Sequence, residues 1–367
     1  MALALYRKHR PKKLDEVLGQ ETNVLILKNA ARQNKLGHAY LFYGPRGTGK
    51  TTTARLIAKL LNCERRQRDT EFAKFGEPCN DCRACREIDA QNSFDVIEID
   101  AASNRGIDEI RNLKDSIVTA PTAGPFKIYI IDEAHMLTKE AVNALLKTLE
   151  EPPRHAVLIL ATTEYEKLPP TIVSRTQRFL FKKLPKTKIM EKLSRIAREE
   201  KIGIEEPALE LIAAAAEGSL RDAESLLDQI SSLQDKIDLA SVERISGRVG
   251  LKKVYELTEL ILKNDLKNSL NFLGMLREEG HNLVQFTKDL IHYFRKVLAL
   301  KINPELEAVF QSDFTQDEMK KTKELGNLVR TDWTISFLKS LIQAYSEMRY
   351  SPFEIVPLEI ALIENLK

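Results

Sequence analysis

The chain has 367 residues, of which 43% are hydrophobic and 30% charged, and its formal net charge is +3. This length suffices for two or three domains of roughly 100–200 residues each, and the composition excludes a disordered chain. No apolar run approaches the ~18 residues of a membrane-spanning helix, and so small a net charge indicates nucleic-acid binding only through a local basic patch.

The first residues are apolar, and a basic cluster follows them at Arg7-Lys-His-Arg-Pro-Lys-Lys13. A secretory signal has the reverse order, so we expect a cytoplasmic protein whose cysteines stay reduced. Charge alone favours a solvated terminus for the basic cluster. Helical periodicity then predicts a helix over 22–34.

A glycine-rich stretch follows an apolar run of strand type at 39–43 and precedes helical periodicity at 52–61. It matches the phosphate-loop pattern GxxxxGKS/T at every position: Gly44, Pro45, Arg46, Gly47, Thr48, Gly49, Lys50 and Thr51. The glycines let backbone N–H groups approach phosphate oxygens, Lys50 can reach the outer phosphates, and the Thr51 hydroxyl can ligate Mg²⁺. A glycine-rich turn that matched the pattern by chance would not be expected to follow a strand and precede a helix, so we predict nucleoside triphosphate binding.

All four cysteines of the chain fall within 23 residues, at Cys63, Cys79, Cys82 and Cys85. Two spacings of two residues with a fourth thiol nearby are what a tetrahedral zinc site needs. Four thiolates close the coordination sphere, so we expect a structural Zn²⁺ rather than a catalytic one. The alternative is four unrelated reduced thiols, which their clustering disfavours.

Two strands and a helix are predicted after the cysteines, with the strands at 94–100 and 127–131 and the helix at 107–118. The second strand is apolar throughout, as in buried parallel sheets, and it ends in Asp132 and Glu133. Downstream of a phosphate loop, this pair predicts that Asp132 holds Mg²⁺ and that Glu133 orients or polarises the attacking water. A pair of acids in a surface turn would not explain so apolar a strand before them.

Another buried strand is predicted at 156–161, and it ends in Thr162 and Thr163. Ligands bind beyond the carboxyl ends of parallel strands, so we expect these hydroxyls near the γ-phosphate with the acidic pair. The lone His135 is left unassigned. The last strand is predicted at 177–181, and the alternation of strands with helices predicts an α/β fold with a parallel sheet and helices on both faces.

Helical patterns replace this alternation after Leu184-Pro185. Helical stripes indicate a small all-α unit over 187–200, 207–217, 219–232 and 239–246. Helices then continue from residue 251 to residue 367, with breaks near Gly280, Pro304, Thr331 and Pro352. We therefore predict three domains, at 1–182, 183–247 and 248–367.

Further segments complete a recognisable set of motifs: Tyr6-Arg-Lys-His-Arg-Pro11, Gly19-Gln20, Ile99-Asp-Ala-Ala-Ser103, Asp132-Glu-Ala-His135, Leu145-Leu-Lys-Thr-Leu-Glu-Glu-Pro-Pro153, Ser174-Arg-Thr176 and Gly218-Ser-Leu-Arg-Asp222. With the phosphate loop and the cysteines, they resemble the AAA+ ATPases, and within them the gamma/tau family of clamp-loader subunits of bacterial DNA polymerase III. The resemblance covers the whole chain. Its most discriminating feature is the cysteine module inserted after the phosphate-loop helix, because most AAA+ proteins lack it.

The resemblance implies a role for each domain. Residues 1–182 would be the ATPase core with a zinc module inserted at 63–85, residues 183–247 a helical lid, and residues 248–367 an all-α collar that holds subunits in a ring. The basic box at 7–11 would lie near the adenine.

The resemblance also implies roles for single residues. Arg175 would be an arginine finger inserted into a neighbouring subunit's ATP site, although the family typically has Ser-Arg-Cys where this chain has Ser-Arg-Thr. Thr163, or alternatively Thr162, would be the first sensor of the γ-phosphate, and Arg221 would be the second sensor.

The function implied is that of an ATPase subunit of the DNA-directed DNA polymerase III holoenzyme, which opens a sliding clamp and loads it onto primer–template DNA during replication. Its cofactors would be ATP, Mg²⁺ and structural Zn²⁺. Its partners would be delta and delta-prime subunits, further copies of itself, the clamp and DNA, with no membrane. Two departures are the fifteen residues between Cys63 and Cys79, a longer gap than usual, and the lack of a long tau-type tail after the collar.

Two other functions remain open. One is a zinc-containing DNA-binding adaptor with little nucleotide turnover. The presence of Glu133 counts against it, because such an adaptor has no chemical need for that glutamate. The other is a different AAA+ machine, such as a branch-migration helicase, against which the cysteine module and the all-α collar count. Arginines and lysines over 101–125 are the candidates for DNA contact.

Overall fold

A computed structural model describes residues 3–103, 116–233, 236–311 and 314–366. The chain forms two compact units, one of Met1–Leu184 with Ser219–Arg221 and the other of Pro185–Gly218 with Asp222–Lys367. Most of the helix predicted over 107–118 lies outside the described residues, as do all the candidate DNA contacts, the arginines and lysines of 101–125.

A parallel five-stranded sheet organises the first unit. Its strands are β1 (Ala39–Tyr43), β2 (Val96–Asp100), β3 (Lys127–Asp132), β4 (Ala156–Thr162) and β5 (Gln177–Leu180), in the order β2-β3-β4-β1-β5. Every pair is parallel, so the carboxyl ends of the strands share one edge. Because β4 lies between β1 and β3, the segments after these three strands emerge side by side. The predicted parallel α/β fold is confirmed.

Helices and short 3-10 turns connect these strands. The helices of this unit are Leu5–Lys8, Glu21–Arg32, Lys50–Asn62, Glu64–Arg68, Thr70–Ala73, Arg83–Asp89, Lys139–Glu150 and Pro170–Val173. The 3-10 turns are Leu14–Glu16, Ala134–Met136 and Tyr165–Lys167. The short helices around the cysteines were not predicted, because so few residues hold too little periodicity to detect.

Apolar cores cover both faces of the sheet. Along β1, Tyr40 and Phe42 pack on one face with Ile57, and Leu41 packs on the other face with Leu145. Both faces are buried because helices cover each of them, which explains why the strands are apolar throughout instead of alternating.

The second unit is mainly helical. Its helices are Lys186–Glu199, Glu206–Ala215, Leu239–Ser246, Leu251–Leu262, Leu266–Glu278, Leu283–Ile302, Glu307–Phe310, Gln316–Gly326, Thr331–Met348 and Val356–Asn365, and a 3-10 turn covers Pro304–Leu306. The helix Leu220–Ser231 begins in the first unit and continues in the second. Two-residue strands, Gly203–Ile204 and Lys236–Ile237, pair in parallel, a detail that the all-α prediction misses. Over the ranges that the structure describes, no helix combines the length and apolarity of a membrane span.

A buried carboxyl group in the second unit generates a pH-dependent prediction. Burial raises the pKa of Glu224 to about 7, and the charge of Lys192 opposes this. Between the unfolded value of 4.5 and pH 7, the folded chain keeps a proton that the unfolded chain has released. This group therefore stabilises the fold at acid pH, and its contribution is lost as the pH rises through 7.

We expect the free energy of unfolding of Glu224→Gln to fall less between pH 5.5 and pH 8.5 than that of the wild type. The difference should be about 2 kcal/mol, because pH 5.5 lies about 1.5 pH units below the folded pKa and each unit corresponds to about 1.4 kcal/mol. Urea unfolding at both pH values measures it. The exposed Glu278→Gln is the control and should follow the wild type; an identical pH dependence for Glu224→Gln would contradict the assignment.

Candidate functional site

The phosphate loop uses glycine where a side chain would not fit. The φ angles of Gly44, Gly47 and Gly49 are +137°, +73° and +102°, in the region that favours glycine. A Cβ atom at Gly44 would lie 2.1 Å from the carbonyl oxygen of Phe181. The loop therefore turns tightly from β1 into the helix Lys50–Asn62, whose N-terminus suits an anion.

The Lys50 side chain lies within this loop. The residue is buried, and its Nζ donates to the carbonyl oxygens of Gly44 at 2.6 Å and Pro45 at 2.8 Å. Burial lowers the pKa of Lys50, and the negative charges of Glu133 and Asp132 oppose that change. The lysine and the acidic pair are thus close enough to interact electrostatically.

Thr51 and Asp132 are in direct contact. The Thr51 Oγ1 donates to Asp132 Oδ2 at 2.8 Å, and Asp132 Oδ1 accepts the backbone N–H of Glu133 at 3.0 Å. Hydroxyl and carboxylate oxygens are suitable Mg²⁺ ligands. The two residues predicted to hold this ion therefore meet, although 81 positions separate them in the chain.

Glu133 is held in a defined position by Thr163. Its carboxylate Oε2 accepts the Thr163 hydroxyl at 2.9 Å and the Thr163 backbone N–H at 3.3 Å. The φ angle of Glu133 is +48°, an uncommon conformation for a residue other than glycine, of the kind found at functional sites. Of the two candidate sensors, the structure places Thr163 on Glu133, whereas Thr162 bonds His135.

His135 joins this site, although the sequence left it unassigned. Its Nε2 lies 3.1 Å from Glu164 Oε1, and its Nδ1 lies 2.9 Å from Thr162 Oγ1 and 3.4 Å from Glu133 Oε2. A carboxylate only accepts, so in the neutral ring Nε2 carries the proton and Nδ1 accepts the Thr162 hydroxyl. A lone histidine has no partner at a diagnostic spacing, and its position just after the acidic pair was the only available signal.

Residues 219–221 reach the phosphate loop within the first unit. The backbone N–H of Leu220 donates to the carbonyl oxygen of Gly47 at 3.1 Å. The Arg221 guanidinium lies 5.0 Å from the centre of the Tyr6 ring, within cation–π range. The predicted second sensor thus lies next to the residue that contacts the loop.

Arg175 lies apart from this cluster. Its guanidinium bonds the Glu150 carboxylate, with Nε at 2.7 Å, and Nη1 bonds the carbonyl oxygen of Thr171 at 2.9 Å and the hydroxyl of Ser174 at 3.2 Å. A third of the Arg175 side chain is exposed. The structure therefore does not bring it to the phosphate loop of its own chain.

The four cysteines converge, and they fit a zinc ion. The sulfur atoms of Cys63, Cys79, Cys82 and Cys85 all lie within 4.8 Å of one another, and those of Cys79 and Cys85 are 4.0 Å apart. Zinc–sulfur bonds of about 2.3 Å in a tetrahedron require sulfur atoms about 3.8 Å apart. The cluster needs only a small contraction to reach that spacing.

Backbone N–H groups support the sulfur atoms of this cluster. Cys79 N–H donates to the Cys63 sulfur at 3.4 Å, Cys82 N–H to the Cys79 sulfur at 3.3 Å, and Cys85 N–H to the Cys82 sulfur at 3.5 Å. The hydrogen bond from the Cys85 thiol lowers the pKa of Cys63, and the same bond raises the pKa of Cys85. The backbone N–H donors favour the thiolates of Cys63, Cys79 and Cys82, and the thiolate is the form that binds zinc.

Family models match three successive stretches of the chain. Their descriptions are DNA polymerase III, delta subunit, over residues 19–185; DNA polymerase III clamp loader subunit, ATPase lid domain, over 188–232; and DNA polymerase III subunits gamma and tau domain III, over 237–366.

Curated relatives match almost the whole chain. It is 41% identical to the DNA polymerase III subunit tau of Bacillus subtilis over 98% of its length and 62% of that protein. It is 35% identical to the DNA polymerase III subunit gamma of Buchnera aphidicola from Schizaphis graminum, over 99% of its length and 97% of that protein. The chain thus spans about three fifths of the tau relative. Among solved structures, the Bacillus subtilis DNA clamp loader delta protein matches 93% of the chain and 99% of that chain, with 16% identity and a TM-score of 0.42.

The contact between the phosphate loop and residues 219–221 can be tested with Gly47→Ala. A Cβ atom at this position would lie 1.9 Å from Ser219 Oγ and 2.9 Å from Ser219 Cβ, and the left-handed backbone conformation costs alanine about 1–2 kcal/mol. Because of this clash and this backbone cost, we expect nucleotide affinity to fall about tenfold or more. Fluorescent-nucleotide titration measures the affinity.

Two variants isolate the clash from the backbone cost. Gly49→Ala is the control, because its Cβ would meet only the Val17 side chain at 3.5 Å and its loss should reflect backbone conformation alone. Adding Ser219→Gly to Gly47→Ala should restore part of the affinity. Equal losses in both single variants, without rescue, would contradict the importance of this contact.

Proposed function

The chain belongs to the gamma/tau family of bacterial DNA polymerase III subunits, and on that premise we propose that it is an ATP-hydrolysing motor subunit of the clamp loader. In this role it opens a ring-shaped sliding clamp and loads it onto primer–template DNA. The observation that carries the proposal is the contact of Thr51 with Asp132 beside Lys50, because it assembles phosphate, metal and water-directing groups at one edge of the sheet.

The chemistry divides among these side chains. Lys50 would neutralise the outer phosphates, and Thr51 with Asp132 would hold an Mg²⁺ ion that offsets the phosphate charge. Glu133 orients the attacking water, and Thr163 responds to the γ-phosphate from its position on the Glu133 carboxylate. Little covalent work falls to the protein, because phosphoryl transfer depends mainly on positioning and charge neutralisation.

Arg175 serves the ATP site of a neighbouring subunit. The Arg175 side chain is one third exposed, and its hydrogen bonds go to Glu150 and Thr171 rather than to its own phosphate loop. Both observations support this role. In the single chain, the Arg175 guanidinium bonds the Glu150 carboxylate. When the chain docks against a neighbouring subunit, the guanidinium would leave Glu150 and bind the phosphates of that neighbour's ATP. Hydrolysis then depends on assembly.

Arg221 is the second sensor on the bound nucleotide. The hydrogen bond between Leu220 and Gly47 supports this assignment, since it ties the residue before Arg221 to the loop. The basic box at 7–11 lies near the adenine. We retain three functional domains: the core at 1–182, the lid at 183–247 and the collar at 248–367.

The partners follow from the same proposal. They are delta and delta-prime subunits, further copies of this chain, the sliding clamp and primer–template DNA. Exposed apolar side chains on the last two helices and the loop between them support subunit contacts by the collar: Ile342, Tyr350, Phe353, Ile360 and Ile363. Such side chains in one region favour an interface over solvent.

The cysteine cluster holds a structural Zn²⁺. Four sulfur ligands would fill a tetrahedral coordination sphere, so this ion would contribute to folding rather than to hydrolysis.

Lys50→Ala and Arg175→Ala should separate nucleotide binding from catalysis. Lys50→Ala removes the charge in the phosphate loop and should abolish ATP binding. Arg175→Ala should bind ATP normally but slow hydrolysis in the assembled loader, by up to about 10³–10⁵, the range for arginine fingers. ATP titration and steady-state ATPase assays with clamp and DNA measure the two effects.

The exposed Arg178→Ala is the control for Arg175→Ala and should hydrolyse ATP at the wild-type rate. A wild-type rate for Arg175→Ala in the loader would refute the finger assignment. An assembled loader that contains the wild-type chain but shows no DNA-stimulated ATPase activity, or that fails to capture the clamp, would refute the proposed function.

Metal analysis of the purified chain should find about one zinc per chain, the content of a single four-cysteine site. Cys79→Ser combined with Cys82→Ser should remove it, because two of four ligands are lost, and should lower the thermal unfolding temperature. A zinc content far from one in the wild type would contradict the site.

A further inference from the structure

A buried carboxylate connects the cysteine module to the N-terminal segment. Glu77 lies two residues before Cys79 and is 8% exposed. Its Oε2 accepts the backbone N–H of Leu14 at 2.7 Å, and its Oε1 accepts that of Asp15 at 3.2 Å. Lys28 Nζ lies 3.2 Å from the same Oε1. Leu14 and Asp15, the two residues whose backbone Glu77 binds, lie more than sixty positions earlier in the chain.

Glu77 is well suited to holding a turn in place. Leu14–Glu16 is a 3-10 turn of three residues, and its first N–H groups have no partner within the turn. A carboxylate satisfies two of them at once, and the negative charge suits the N-terminal end of the turn. An amide offers one acceptor oxygen, so a glutamine would leave one N–H group without its partner.

The module is fixed against the helix Glu21–Arg32 at two further points. Gly76 has φ +68°, and a Cβ atom there would lie 2.7 Å from the carbonyl oxygen of Lys28, so the two backbones are in close contact. Arg66, which is buried and follows Cys63 by three residues, donates to the carbonyl oxygens of Ala31 at 2.9 Å and Ala73 at 3.1 Å.

The turn held by Glu77 leads directly to the phosphate loop. Val17 follows the turn, and its Cγ1 is 3.5 Å from where a Cβ atom of Gly49 would lie. Gln20 is almost fully buried, and its Nε2 lies 2.8 Å from the carbonyl oxygen of Lys182 and 3.4 Å from that of Thr48. Residues 14–20 therefore support the loop from one side.

We propose that Glu77 is a positioning residue that couples the cysteine cluster to the nucleotide site. A closed cluster fixes the segment carrying Glu77, Glu77 fixes the turn Leu14–Glu16, and the residues after that turn support the phosphate loop. This inference rests on the proposed ATP binding by the loop. It gives the cysteine module a role in nucleotide affinity, although no cysteine is part of the phosphate loop.

The test uses the full chain with Glu77→Gln and three measurements: zinc content, ATP affinity by fluorescent-nucleotide titration, and hydrogen exchange of the Leu14 and Asp15 amides. We expect unchanged zinc, ATP affinity about tenfold weaker, and faster exchange at both amides, because the loss of one buried hydrogen bond and of the ion pair with Lys28 loosens the whole turn. Glu71→Gln is the matched control, because Glu71 is an exposed carboxylate of the same module. It should behave as the wild type.

A second arm leaves every side chain in place and applies even if Glu77→Gln fails to fold. Zinc chelation of the wild type should weaken ATP binding and speed exchange of the same two amides. Where Glu77→Gln folds, chelation of that variant should add little. Unchanged ATP affinity in folded Glu77→Gln, or in the chelated wild type, would overturn the coupling. Failure of the zinc-loaded wild type to bind ATP would instead refute the proposed function.

Discussion

The hydrogen bond between Thr51 and Asp132 depends on the strand order of the sheet. Thr51 follows β1 and Asp132 ends β3, yet β4 lies between these strands. All the strands are parallel, so the loop after β1 and the end of β3 reach the same edge, and β4 delivers Thr163 between them. A single topological constraint thus brings together groups that three separate segments supply, and the proposed ATP chemistry needs all of them at once.

The two residues of the acidic pair at this edge make different contacts. The Asp132 carboxylate contacts Thr51 of the phosphate loop, as expected for two side chains that would hold the same Mg²⁺ ion. Glu133 has an uncommon backbone conformation and contacts Thr163 and, more distantly, His135. Glu133, which we expect to orient the attacking water, is therefore hydrogen-bonded to Thr163, which we expect to respond to the γ-phosphate. A movement of either side chain would shift the other.

The nucleotide site also depends on parts of the molecule outside its motifs. Residues 14–20 support the phosphate loop, and Glu77 of the cysteine module holds the turn at the start of that segment. Arg175 bonds Glu150 within its own chain, so the catalytic charge that we propose for it acts on a neighbour. The inserted module and the assembly would both affect the same loop, one by supporting it and the other by supplying charge.

Sequence by itself determined the features whose chemistry is local. The phosphate loop needs glycines at fixed positions, buried parallel strands must be apolar, and four thiols at short spacings indicate a metal site, so each left a readable pattern. The parallel α/β fold followed from the alternation of such strands with helices. Tertiary structure alone revealed the contacts of Glu77, Gln20 and His135. Their partners are backbone groups or single side chains far away in the chain, and such contacts impose no spacing that a sequence can display. The choice between Thr162 and Thr163 as the partner of Glu133 likewise depended on which hydroxyl faces the carboxylate, and that direction is set by the pleat of β4 and the turn after it.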